Sequence, residues 1–138
     1  MLKSLKVENF KSIVDKDICL KNLNVLTGLN GSGKSSILQI LALLKQSINN
    51  NETGEKLFLF GNLLSLGKSK DILSEYSTSN NIKFNIELIN NENNESSTIN
   101  LNYSINDYEN ADVIKGYVDG NINDLRSVLN NLQYIQAD

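Results

Sequence analysis

The residues best suited to chemistry in this chain are Gly28-Leu29-Asn30-Gly31-Ser32-Gly33-Lys34-Ser35, which match GxxxxGK[ST] at every fixed position. Glycines let the backbone turn tightly and bring its N–H groups against phosphate oxygens. A helix starting here adds its positive dipole end. The motif assigns Lys34 to the β- and γ-phosphates of a nucleotide, the Ser35 hydroxyl to Mg²⁺ and Ser36 to the neighbourhood of the α-phosphate. The bland alternative is a glycine-rich turn that caps a helix and binds nothing. The match at all fixed positions, between a strand-like run and a helical pattern, favours the phosphate loop.

Hydrolysis asks for more: a carboxylate near the metal, a residue that activates water, and a group that neutralises charge in the transition state. A run of about four apolar residues entering Asp does not follow Lys34, and no LSGG-like signature appears. Asp71, Asp107 and Asp112 follow polar or mixed residues. The chain has no histidine, which removes the commonest general base, and its only arginine is Arg126.

These residues need elements to position them. LKSLKVENF and DKDICL read as two strands close enough to form a hairpin, and Leu23–Thr27 reads as a buried strand running into the glycine loop. From Gly33 the period turns helical, with Ile37, Ile40, Leu41, Leu44 and Ile48 at spacings of three and four; Leu38 and Leu43 widen the stripe, so the helix is expected to be covered on more than one side. The polar run from Asn49 to Gly54 reads as a surface loop.

Leu57–Phe60 reads as a strand, followed by a turn at Gly61 and a short helix over Asp71–Tyr76. IKFNIELIN and TINLNYSI alternate as half-buried strands around a polar loop, and ADVIKGYV extends them into a meander. Asn123 or Asp124 is placed to cap a helix that turns Leu125, Val128, Leu129 and Leu132 to one side, after which LQYIQAD begins another strand.

Composition bounds the class. The chain has 138 residues, about one domain, with 40% hydrophobic and 21% charged residues, which is the profile of a folded globular protein. Its longest apolar run, Ile37–Leu44, is interrupted by Gln39 and is far shorter than the roughly 20 residues that span a bilayer. No signal peptide opens the chain, so a cytoplasmic protein without membrane partners is expected. The single cysteine, Cys19, excludes an internal disulfide and reads as a small core residue. With a net charge of −3 there is no overall basic field, and the lysine clusters at Lys3, Lys6 and Lys11 and at Lys68 and Lys70 read as solvated faces, not a DNA patch.

LKSLKVENFKSI, LNVLTG, GLNGSGKSS and ILQILALLKQS together resemble the N-terminal lobe of ABC-type ATPases of the SMC, RecF and OLD group, in which an "NF(R/K)S" hairpin precedes the phosphate loop by about twenty residues. The likeness is specific from Met1 to about Ile48. LFLFGNLLSLGKSKDIL also resembles a "G-x-hydrophobic-x-x-LG-x-x-x-D" segment of bacterial AAA-type ATPases, several of which serve anti-phage defence.

The resemblance implies that Lys11 and Ser12 contact nucleotide, that Asn30 faces the γ-phosphate, and that Gly31, Ser32, Gly33, Lys34, Ser35 and Ser36 complete the cradle, with Lys34 as the catalytic cation and Ser35 as the metal ligand. Gln136 either stands in for the glutamine that senses Mg²⁺ and water or is a solvent-facing residue at a strand end.

The expected fold is α/β of the mixed α+β kind: a P-loop NTPase lobe with an N-terminal antiparallel sheet and a β-meander. Residues 1–138 are expected to be one incomplete lobe of an ATP-binding head using ATP and Mg²⁺. A complete head would hydrolyse ATP against a second head in a homodimer, or with the C-terminal half of the same protein, and drive a change on DNA or a defence effector. This chain alone is expected to be inactive. The rival readings are a non-hydrolysing regulatory module docked on a separate catalytic chain, an ABC transporter-type half, and a small P-loop kinase. The last is disfavoured by the lack of basic lid residues.

Overall fold

The computed structural model describes residues 2–11, 13–19, 32–74, 79–90, 92–105 and 112–131, with the side chains of 32–36 excepted. Leu23–Thr27, Asn30, Gly31, Ser12, Asp107, Tyr76, Leu132 and the LQYIQAD segment with Gln136 lie outside the described residues. The elements run β1 (Leu2–Phe10), β2 (Ile13–Cys19), α1 (Ser32–Asn50), β3 (Lys56–Phe58), α2 (Ser69–Ile72), β4 (Asn81–Ile89), β5 (Ser96–Ser104), β6 (Val113–Asp119) and α3 (Ile122–Asn130). The strands form one antiparallel sheet in the order β2-β1-β4-β5-β6-β3. This is the mixed α+β architecture expected, with the hairpin β1-β2 and the meander β4-β5-β6 joined through a β1·β4 pairing.

Alternation explains which side of the sheet is buried. Leu5 and Val7 of β1, Ile82, Phe84 and Ile86 of β4, and Ile99, Leu101 and Tyr103 of β5 all point inward. Their neighbours Lys6, Lys83, Asn100 and Ser104 point out, as expected of an antiparallel sheet with one wet face. Against the inner side lies α1, whose Ile37, Ile40, Leu41, Leu43, Leu44 and Ile48 join the same apolar cluster. Every residue from Ile40 to Leu44 is buried, so the helix is covered on more than one side. α3 adds Leu125 and Leu129 and packs on α1.

Three expectations are corrected. Cys19 is exposed: on β2 the inward position belongs to Ile18, and Cys19 takes the opposite face across from Ser4. The short helix begins earlier, at Ser69, because the Asp71 carboxylate accepts from the Lys68 N–H (2.8 Å) and so closes the first turn; Leu73 is already extended and bridges to Phe10. The last helix is capped by Asn121, whose side chain accepts from the Asn123 N–H at 3.0 Å.

The loop after α1 is not wholly at the surface. Gly54 is buried with φ +72°, and a Cβ there would fall 2.8 Å from Ile122 Cδ1. This inward turn lets the Tyr103 hydroxyl donate to the Gly54 carbonyl at 2.6 Å. Burial pushes the Tyr103 phenol well above the usual tyrosine range. A raised pKa in the folded state means stability that is full below about pH 10, the unfolded value, and lost as pH climbs past it. Tyr103→Phe is therefore expected to cost about 1–2 kcal/mol at neutral pH and to flatten the alkaline fall in stability. Urea melts of both proteins from pH 7 upward check this; parallel slopes above pH 10 would contradict it.

The lysine clusters are largely paired. Lys3 meets Glu87 at 3.3 Å, Lys6 meets Glu8 at 3.8 Å, and Lys68 meets Asp112 at 2.5 Å. Such exposed pairs contribute at most about 1 kcal/mol each. They describe a solvated face. Among the described residues, no helix is long and apolar enough to cross a membrane.

Candidate nucleotide-binding site

α1 begins at Ser32, so Ser32, Gly33, Lys34 and Ser35 form its first turn, with Ser36 next. The first four amides of a helix have no acceptor within it. Here they belong to the loop residues that the sequence assigns to phosphate. The first turn contains no acidic residue, leaving its positive dipole end uncompensated by a carboxylate of its own. The backbone thus brings Ser32, Gly33, Lys34, Ser35 and Ser36 together at one end of one helix.

The β1-β2 turn approaches the same helix from the side. Asn9 and Lys11 both adopt left-handed backbone, φ 66° and 52°, on either side of Phe10. Asn tolerates this conformation, whereas a lysine in it is uncommon and costs about 1 kcal/mol or more. Each of the three residues has a physical task. The Asn9 side chain donates to the Asn81 carbonyl at 2.9 Å and to Ser79 Oγ at 3.2 Å. Phe10 is fully buried and starts an aromatic row with Phe84 and Tyr103, at centroid distances of 6.1 and 6.3 Å. Lys11 donates its backbone N–H to the Ile72 carbonyl at 2.7 Å, and its Nζ donates to Gln39 Oε1 of α1 at 3.1 Å.

α2 and the two residues after it hold this turn in place, and the segment between β3 and α2 leads into them. Gln46 of α1 is 4% exposed and uses both ends of its amide on β3 and the segment after it: Nε2 donates to the Phe58 carbonyl at 2.7 Å, and Oε1 accepts from the N–H groups of Leu63 (3.2 Å) and Leu64 (3.1 Å). Gly61 closes over that amide, where a Cβ would lie 2.7 Å from Oε1. Ser47, also buried, accepts from the Phe58 N–H at 2.8 Å. The Asp71 turn then delivers the Ile72 carbonyl to Lys11, and the Ser74 N–H returns to the Asn9 carbonyl at 3.0 Å.

Among the described residues, three charged groups weighed for catalysis make structural contacts. Asp71 closes α2, and Asp112 pairs with Lys68. Arg126 donates to the Glu52 carbonyl at 2.7 Å, to the Ile48 carbonyl at 3.5 Å and to the Asn123 side chain, so it caps the C-terminal end of α1. A cleft elsewhere, lined by Glu55, Lys56, Ser104, Lys115 and Tyr117 among others, lies along β3 and β6 and includes none of the sequence-predicted site residues.

A family model described as AAA ATPase domain matches residues 1–138. The chain belongs to the AAA ATPase domain family. No curated protein matches it. Membership of this family supports ATP-binding ATPase function in general terms, and such ATPases generally use ATP with Mg²⁺. Around the hairpin turn and α1, Gln39, Gln46 and the Ile72 carbonyl make contacts that sequence reading missed. For Gln39 a signal existed, since it is the polar break in the apolar run Ile37–Leu44. The Ile72 carbonyl left no sequence signal, because any residue supplies one.

Proposed function

We propose that this AAA ATPase domain is the ATP·Mg²⁺-binding lobe of an SMC/RecF/OLD-like head, with Gly31–Ser36 cradling the phosphates, Asn30 facing the γ-phosphate, and Lys11 and Ser12 approaching from the hairpin. Lys34 is the phosphate cation, and Ser35 would hold the metal, which would supply further positive charge against the phosphates. One observation supports the reading most: the hairpin cation docks onto the helix that carries the GKS sequence, on the face shared by positions 35, 36 and 39. The uncompensated first turn suits a polyanion carrying its own Mg²⁺.

Hydrolysis, in this reading, draws on groups outside these 138 residues, from a second head or from further chain, and is coupled to change on DNA or an effector. Among the described residues, the engagement of Asp71, Asp112 and Arg126 in structural contacts supports that division. The purified protein is expected to bind a fluorescent ATP analogue in a Mg²⁺-dependent way and to release no phosphate above background. Turnover of about 1 per second, an ordinary enzymatic rate, would show that the catalytic set is already present.

A further inference from the structure

Lys11 is a cation without a carboxylate partner among the described residues, and its ammonium is held instead by a neutral amide. Nζ sits 3.1 Å from Gln39 Oε1 and 5.9 Å from the centroid of the Phe10 ring. Both neighbours attract a cation without cancelling its charge. The other lysines facing a side-chain acceptor in this part of the sheet, Lys3 and Lys6, are given glutamates. Gln39 also occupies a costly place for an amide, inside a run of apolar residues on the packed length of α1 and only partly exposed.

Helix geometry says where the held charge stands. Gln39 follows Ser35 by four residues and Ser36 by three, so it shares a face with both positions and lies about one turn, roughly 4.5–6 Å along the axis, beyond them. The backbone of Lys11 is fixed independently by the Ile72 carbonyl, which accepts its N–H. A side chain anchored at both ends loses little further rotamer freedom on meeting a ligand, which is the benefit of preorganisation.

We infer that Gln39 is a positioning residue of the nucleotide site, whose neutral side chain aims the Lys11 ammonium toward the phosphate end of α1 while leaving its full positive charge for a nucleotide polyphosphate. The inference rests on the ATP-binding reading of the Gly28–Ser35 loop. It requires that Gln39 be an amide: a glutamate there would hold Lys11 as firmly, or more so, but would neutralise it. A purely structural role, pinning the hairpin to the helix, makes the opposite demand and would be served better by glutamate.

The test sets affinity against stability. Mg·ATP is titrated into the wild-type protein and into Gln39→Ala, Gln39→Glu, Lys11→Ala and Lys11→Ala/Gln39→Ala, with thermal midpoints measured in parallel and Lys34→Ala as the loop control. Gln39→Glu is expected to weaken ATP binding about tenfold while its midpoint stays at or above that of wild type. Gln39→Ala is expected to weaken binding about threefold and to have no effect once Lys11 is alanine. Wild-type affinity in Gln39→Glu, a fall in its midpoint that accompanies the loss of affinity, or an undiminished Gln39→Ala effect in the Lys11→Ala background each overturns the inference. Should Gln39→Glu fail to fold, the alanine cycle decides. If Lys34→Ala binds as well as wild type, the ATP-binding reading falls and takes this inference with it; if Lys34→Ala fails to bind while the Gln39 variants bind normally, only the inference falls.

Discussion

Lys34→Ala is expected to weaken Mg·ATP binding roughly 30-fold or more, about 2 kcal/mol, with little change in fold stability. The position sits in the first turn of α1, where alanine is at least as good a helix former as lysine. On the proposed reading, its loss removes a point charge from the β- and γ-phosphates and leaves the other groups of the cradle to hold the polyanion. The deficit should therefore be larger for ATP than for AMP, which does not reach the lysine. Calorimetric titrations with both nucleotides, alongside circular dichroism to confirm folding, are sufficient. Equal ATP affinity in the two proteins would remove the loop from the mechanism, however well its sequence matches.

Most local elements were legible because they have a period: alternation for β4 and β5, only partial alternation for β1, and three-four spacing for α1. The polar stretch between β4 and β5 is likewise written in short-range chemistry, whereas the helix cap was placed two or three residues late, at Asn123 or Asp124 instead of Asn121. What the sequence withheld was long-range. The β1·β4 pairing, which joins the hairpin to the meander, links residues such as Leu5 and Ile86 that no local pattern connects. β3 finding β6 at the far edge is of the same kind. Cys19 was misplaced because residue type favoured the core, whereas strand phase, set by Ile18, put it outside. At the candidate site, motif and resemblance singled out the GKS residues and Lys11, which the structure places on and against α1. Their scaffold was not readable, since Gln46 and the Ile72 carbonyl act through backbone groups whose partners depend on the completed fold.

Gln46→Leu is expected to destabilise the protein by about 3 kcal/mol and to lower its thermal midpoint by roughly 10 °C. Leucine preserves the volume, so packing loss is not the cause. The Phe58 carbonyl and the N–H groups of Leu63 and Leu64 lose their partners together, under the closed backbone of Gly61. Each unpaired group costs about 1–3 kcal/mol when fully buried, and partial access of water to this turn keeps the sum near the lower bound. The effect should travel along the chain. Freed at Leu63 and Leu64, the segment holds α2 less firmly, and the Ile72 carbonyl that fixes the Lys11 backbone in its left-handed conformation becomes less well placed. Hydrogen exchange should accordingly quicken at the amides of Leu63, Leu64 and Lys11, but not at those of β4 and β5, whose ladder is built from other bonds. Faster exchange at Leu63 and Leu64 with an unchanged Lys11 amide would separate the two turns and confine Gln46 to a local role.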